Sequence, residues 1–286
     1  MRKAILCAVL VMVSVSVAFA GATEDLLKIA GDKNTTPRMI QNLIKFGADV
    51  NAKDENGKTA LMLAARSNSN SEVITALLKA GADVNAKNNY GSTALMYAAQ
   101  WNSNPDVITA LVRSGADVNA KNEKGLTALM LAARSNSNLE VINALVQAGA
   151  DVNANNNSSW TALMLAAESN SNHEAIRTLL NAGADVNAND NYGQTALMKA
   201  AMWNSNPEVI KALVKAGADV NATGNGGRTA LMSAARSNNN PEVIREVIHV
   251  LLDAGADIFA KDNSGKTVLD YAQTDAIKRL ILDYAQ

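Results

Sequence analysis

The sequence predicts an all-α repeat solenoid: stacked helix-turn-helix units with protruding β-hairpin turns. Three observations carry that prediction. A Gly-Ala-Asp triplet opens at Gly47, Gly81, Gly115, Gly149, Gly183, Gly217 and Gly255, with five steps of 34 residues and a last step of 38. A period of this size belongs to stacked supersecondary units. Inside each period, helix start and stop signals occur twice, and two helices of about ten residues cannot bury their own apolar stripe without a neighbour.

The unit reads most cleanly from Lys87 to Ala120. A first helix begins near Thr93 and runs through Ala94, Leu95, Met96, Ala98 and Ala99, with small residues where a neighbouring helix must approach. It stops at Asn-Ser-Asn; asparagine tolerates the left-handed conformation that ends a helix and also caps the next one. In Asn104-Pro105-Asp106, repeated as Asn206-Pro207-Glu208 and Asn240-Pro241-Glu242, asparagine caps, proline takes the first helical position and an acid faces the helix dipole. The second helix carries the stripe Val107, Ile108, Leu111 and Val112 and ends at Gly115. The following Ala-Asp-Val-Asn-Ala and a polar run up to the turn glycine read as an extended segment and tight turn.

Along the chain, Arg2 and Lys3 precede an apolar run from Ala4 to Val17, and Ala18-Phe19-Ala20 gives a small-x-small cleavage pattern, so residues 1–20 read as a secretory signal peptide. A retained anchor fits less well, because a spanning helix needs about 20 apolar residues. Residues 21–286 form one repeat domain. Residues 21–52 are an N-terminal cap, with one helix starting at Thr23-Glu24-Asp25 and another from Pro37 to Phe46. Six internal repeats follow at 53–86, 87–120, 121–154, 155–188, 189–222 and 223–260. The fourth has Ser159 in place of the turn glycine, which predicts a looser hairpin. The sixth has four extra residues within Pro241 to Asp253, about one helical turn, so its second helix lengthens while keeping its apolar face. Residues 261–286 are a C-terminal cap whose Lys278, Arg279 and Asp283 must face water.

The run Gly-x-Thr-Ala-Leu-Met-x-Ala-Ala, followed by Val-Ile-x-Ala-Leu and Gly-Ala-Asp-Val-Asn-Ala, resembles the ankyrin repeat. The resemblance covers essentially the whole chain beyond the signal. The family's Thr-Pro-Leu-His is Thr-Ala-Leu-Met here, ending at Met62, Met96, Met130, Met164, Met198 and Met232. A thioether at that place is expected to pack between helices. The period exceeds the family's 33 residues by one, and the extra residue falls in the Asn-Ser-Asn linker. The tetratricopeptide repeat also has 34 residues, but its Trp, Leu-Gly and Tyr spacing is absent.

Composition excludes several functions. Formal net charge is −1 and becomes −3 once Arg2 and Lys3 are removed, which gives no basic stripe for nucleic acid or anionic membrane. The single cysteine, Cys7, lies in the signal, so the mature chain has no disulfide, thiol nucleophile or thiolate metal site. His173 and His249, the only two histidines, lie about two units apart and share no nucleophile or acid. No enzyme, cofactor or metal is expected. Turns such as Asp54-Glu55-Asn56-Gly57 lack the ligand spacing of a calcium loop. Asn34, Asn157 and Asn221 fit the glycosylation sequon by chance in an asparagine-rich chain.

The resemblance implies a concave partner-binding face made of turn tips and first helices. The positions that match hold Tyr90, Trp101, Trp160, Tyr192 and Trp203, which include all three tryptophans, together with Arg66, Arg134 and Arg236. Aromatic residues and arginine are the usual anchors of protein interfaces. Packing of Trp101 and Trp203 on neighbouring turns is the competing reading. The expectation is therefore a monomeric, exported scaffold, periplasmic or secreted and bacterial in type, that binds an unidentified protein. A passive structural or self-assembling module is the alternative.

Overall fold

The computed structural model describes residues 21–169, 172–237 and 240–284. The expected signal, with Cys7, lies outside the described residues. Those residues gather into two compact units, one reaching to Glu123 with Gln147–Gly149 added, the other holding Lys124–Val146 and the chain from Ala150 onward.

The chain is helical from residue 21 to residue 30 (α1), already so two residues before the expected start at Thr23. Then come α2 (Pro37–Lys45) and the pairs α3 (Ala60–Ser67) and α4 (Ser71–Lys79), and α5 (Ala94–Trp101) and α6 (Pro105–Arg113). Next are α7 (Ala128–Ser135) and α8 (Leu139–Gln147), then α9 (Ala162–Ser169) and α10 (His173–Asn181). The rest are α11 (Ala196–Trp203), α12 (Pro207–Lys215), α13 (Ala230–Arg236), α14 (Pro241–Asp253), α15 (Val268–Tyr271) and α16 (Asp275–Asp283). The fold class is the expected all-α repeat solenoid. The hairpins are short: isolated antiparallel bridges join Lys53 to Thr59 and Asn155 to Thr161, with no sheet among the described residues.

Local signals explain the helices. Thr93 caps α5, its hydroxyl accepting from Met96 N at 3.4 Å, and Asn104 caps α6, accepting from Asp106 N at 2.9 Å. Met62, Met96, Met130, Met164, Met198 and Met232 are all buried, beside the fully buried Leu of each Ala-Leu-Met. Val107, Ile108 and Leu111 of the second-helix stripe are likewise sealed. The four extra residues do lengthen a helix, α14 having 13 residues against 9 in α12. Lys278, Arg279 and Asp283 are exposed on α16.

Two expectations are corrected. The Asn-Ser-Asn linker does not end α3 or α5 in a left-handed residue: Asn68 and Asn102 are extended, with φ of −95° and −96°. Each is buried instead, and uses its amide as a clamp. Asn68 donates to Asp32 O and Thr35 O at 2.9 and 3.2 Å; Asn102 donates to Ala65 O and Asn68 O at 3.0 and 2.9 Å. Backbone carbonyls left open by a preceding helix end are thus satisfied from the next repeat. The Ser159 hairpin, expected to be looser, is as tight as its siblings. Asn156 N meets Trp160 O at 3.0 Å, as Asn88 N meets Ser92 O at 3.0 Å. Ser159 takes φ of 60° to do so, and its hydroxyl bonds Asn191 Oδ1 at 2.6 Å.

A second asparagine series fastens successive triplets. Asn51, from the first Val-Asn-Ala, donates to Gly81 O at 3.0 Å and accepts from Asp83 N at 2.8 Å. Asn85 repeats both bonds with Gly115 and Asp117, as do Asn153, Asn187 and Asn221 within the second unit.

Candidate partner-binding face

Turn tips are built by an Asx residue that folds the chain onto its own side chain, except in the sixth repeat, where Gly224 holds that position and the backbone bond from Gly224 N to Arg228 O closes the turn. Asn88 Oδ1 accepts from Tyr90 N at 2.9 Å and Ser92 N at 2.8 Å, and Asp190 Oδ1 does the same for Tyr192 and Gln194, both at 2.8 Å. Tip carbonyls then accept from the next tip, as Asn56 O does from Asn89 N at 3.1 Å and Tyr192 O from Asn225 N at 2.8 Å. Asx-turns and tip ladder together hold the side chain at the tip outward on a fixed backbone.

In the first unit, Tyr90 is 61% exposed and Trp101, the last residue of α5, 56% exposed. The Arg66 guanidinium of α3 stands 5.5 Å from the centroid of the Trp101 ring, and the two line a hollow of 360 Å³ with Lys33, Ser67 and Ser69. In the second unit Tyr192 is 68% and Trp203 59% exposed, Arg236 lies exposed at the end of α13, and Arg134 is exposed on α7. Exposure on this scale leaves the four aromatic rings open to solvent.

Trp160 stands apart from these four. It is half-buried, and its ring lies 3.6 Å from the Lys199 ammonium. Lys199 sits inside α11 with its side chain 4% exposed, paired at 2.8 Å with an Asp190 carboxylate that is 0% exposed. The ammonium meets Asp190 Oδ2 as an ion pair outside hydrogen-bonding direction, since that oxygen has no hydrogen-bond donor, while Gln194 Oε1 accepts from Nζ at 3.1 Å. The same two positions pair elsewhere: Asn88 donates to the Tyr97 hydroxyl at 3.0 Å, and the Tyr271 hydroxyl donates to Asp262. Burial pushes the Tyr97 phenol up from its ordinary value, and the Tyr271 hydroxyl holds the Asp262 carboxyl down. A cation over an aromatic ring recurs between one repeat and the next, Lys58 over Tyr97 at 5.9 Å and Arg228 over Tyr271 at 5.5 Å, with the order reversed only where Trp160 meets Lys199.

The histidines serve packing and pairing. His173 Nε2 lies 3.1 Å from Glu174, and His249 Nδ1 lies 2.8 Å from the Tyr284 hydroxyl, which bonds Asp253 at 3.0 Å and fastens α16 to α14. No group of three or more metal-ligating side chains forms among the described residues. Sequence reasoning missed a hollow of 390 Å³ on the second-helix side, lined by His173, Arg177, Glu208, Lys211 and Lys215. Its signal was the lysines four apart on α12. Lys211 bridges Glu208 at 2.7 Å and Glu246 at 3.0 Å, and its hydrogen bond lowers the Glu208 carboxyl.

A family model described as ankyrin repeats (3 copies) matches residues 27–122, 102–190, 129–224 and 170–262. Among solved structures, the crystal structure of the human ASB11 ankyrin repeat domain superposes with a TM-score of 0.70 at 25% identity, over 79% of this chain and 98% of that one. No curated protein sequence matches this chain. No helix of the described residues is long and apolar enough to cross a membrane.

Proposed function

This chain belongs to the ankyrin-repeat family, and from that premise we propose that it is a non-enzymatic scaffold holding a partner protein on its turn tips and first helices. Ankyrin repeats are generally protein–protein interaction modules. The observation that carries the reading is the placement of Tyr90, Trp101, Tyr192 and Trp203, each more than half exposed, on the turn tips and first-helix ends. Large aromatic surface left open to water supplies most of the affinity where a partner covers it. A face fixed by Asx-turns and backbone bonds has little ordering cost on association. Arg66 and Arg236 supply charge beside the Trp101 and Trp203 rings, Arg134 adds an exposed charge on α7, and Trp160 contributes by holding Lys199 in place rather than by direct contact.

Export through residues 1–20 would put this face in the periplasm or outside a bacterial cell; the support is the basic start, apolar run and Ala-Phe-Ala end of that segment. Mass spectrometry of the mature chain tests it, cleavage before Gly21 being the expected result. For the partner, residues 21–286 are used to capture proteins from the extracytoplasmic fraction beside a Tyr90→Ala, Trp101→Ala, Trp203→Ala variant with unchanged circular dichroism. A protein retained by the parent and lost by the variant supports the reading. Equal retention by both moves the site to the second helices or the caps.

A further inference from the structure

We propose that the groove between α11 and α13 is a docking site for a short acidic peptide segment carrying an apolar side chain; this rests on the partner-binding reading above and specifies the chemistry of what binds. Two adjoining hollows of 260 and 360 Å³ share Gln194, Met198, Arg228 and Ser233. They run from Tyr192 at a turn tip to Trp203 at the end of α11.

The sequence digs this groove at three places. The sixth repeat has Gly224 where its predecessors have Asn156 and Asp190, Gly226 where they have Ser158 and Tyr192, and Ser233 where they have Leu165 and Lys199. A side chain added at Gly226 would meet open space. What remains is a floor closed below by the buried Met198 and Met232 and opened by the half-buried thioether of Met202, between the rings of Tyr192 and Trp203. Such a surface accepts an apolar side chain of varied shape.

Charge decides the rest of the occupant. Arg228 and Arg236 line the groove, and Arg236 forms no ion pair among the described residues. Arg228 is braced from one side, its Nε 3.3 Å from the Tyr271 hydroxyl and its plane over that ring. The nearby Asp190 is no counter-charge, since it is buried and paired with Lys199 at 2.8 Å. Asp262 stands behind Arg228, joined to it through the Tyr271 hydroxyl, so Arg228 is partly balanced, whereas Arg236 has no acidic partner among the described residues, in a chain whose net charge is −1. Guanidinium groups accept carboxylates in a bidentate fork. A nucleic-acid strand would need a longer run of cations to hold successive phosphates.

The test is to select a displayed library of random dodecapeptides on the full chain. Labelled synthetic versions of the enriched peptides are then measured by fluorescence anisotropy, with twelve-nucleotide oligo-dT as a second probe. Enriched peptides are expected to carry aspartate or glutamate next to a large apolar residue. Their affinity should fall about tenfold or more in Arg228→Ala, Arg236→Ala, and should weaken with added salt. Trp203→Ser installs the residue that Ser67, Ser135, Ser169 and Ser237 already hold at this position, so it keeps the fold, and it should weaken the same peptides. Neutral or basic winners overturn the acidic assignment. If such winners still lose binding to the Tyr90, Trp101, Trp203 variant, the partner-binding face survives; if they do not, both readings fall. No enrichment overturns the groove as a peptide site, and tighter binding of oligo-dT replaces the peptide with a nucleic acid.

Discussion

Replacing Asn102 by alanine removes a buried amide that donates to Ala65 O at 3.0 Å and Asn68 O at 2.9 Å while its oxygen accepts from Asn104 N at 3.0 Å. Alanine fits the extended φ of −96° at this position, so the loss is one of hydrogen bonds and volume, not of backbone geometry. A net contribution of about 1 kcal/mol for each of the three bonds gives a loss near 3 kcal/mol, since the stranded carbonyls cannot reach water. Asn102→Asp should cost more than alanine, because a carboxylate would face the same two carbonyl oxygens. Ser69→Ala, on the exposed linker nearby, is the control and should change stability by no more than about 0.5 kcal/mol. Urea unfolding followed by circular dichroism and by tryptophan emission measures all three. An alanine variant within about 0.5 kcal/mol of the parent, or an aspartate variant milder than alanine, would refute the clamp as a source of stability.

Lys199→Leu strands the buried Asp190 carboxylate and should cost about 3 kcal/mol, whereas adding Asp190→Asn recreates the Asn156 and Leu165 combination of the fourth repeat and should restore most of it in urea titrations. Gly57→Ala forces a Cβ to within 2.3 Å of Asn89 Oδ1 at a φ of 74°. That change should destabilise by about 2 kcal/mol, while Ser159→Gly trades backbone relief against the Asn191 bond and stays within about 1 kcal/mol, both read from urea midpoints. Asp262 and Asp270 are held below the usual carboxylate range by the Tyr271 hydroxyl and the Thr267 backbone N–H respectively. A depressed carboxyl stabilises the fold above its unfolded value, near pH 4, and that contribution disappears as pH falls through the folded value. Thermal melts from pH 7 to pH 2 should therefore show the parent losing its advantage over Asp262→Asn, Asp270→Asn as acid is added.

Much of the fold was legible because local preferences agreed with one another. Threonine and asparagine caps, the proline after Asn104 and the acid at Asp106 all mark the same helix start, and α6 begins there. The methionine of Ala-Leu-Met read correctly as core because its position in the helix repeats without exception. Asn102 was misread because its side chain acts on a carbonyl 37 residues earlier in the chain, and a cap rule sees only neighbours. Ser159 was misread because a hydroxyl bond to the next repeat compensates for the missing glycine. On the candidate face, exposure of Tyr90 and Trp203 followed from their register. The engagement of Trp160 with Lys199 did not, although an aspartate and a lysine nine residues apart, at positions that are Asn and Leu in the preceding repeat, were its signature. The groove at the sixth repeat was written in what that repeat lacks, which a search for chemical groups passes over.

The amide clamps of the Val-Asn-Ala asparagines count repeats rather than residues. Asn187 reaches Gly217 across 30 positions and Asn221 reaches Gly255 across 34, yet the bonds measure 3.2 and 3.0 Å. The four added residues are absorbed wholly by α14, and the following triplet arrives where the clamp requires it. In the sixth repeat the added length is thereby taken up by the second helix alone, and the clamp to the next triplet keeps the bond lengths it has in repeats of ordinary length.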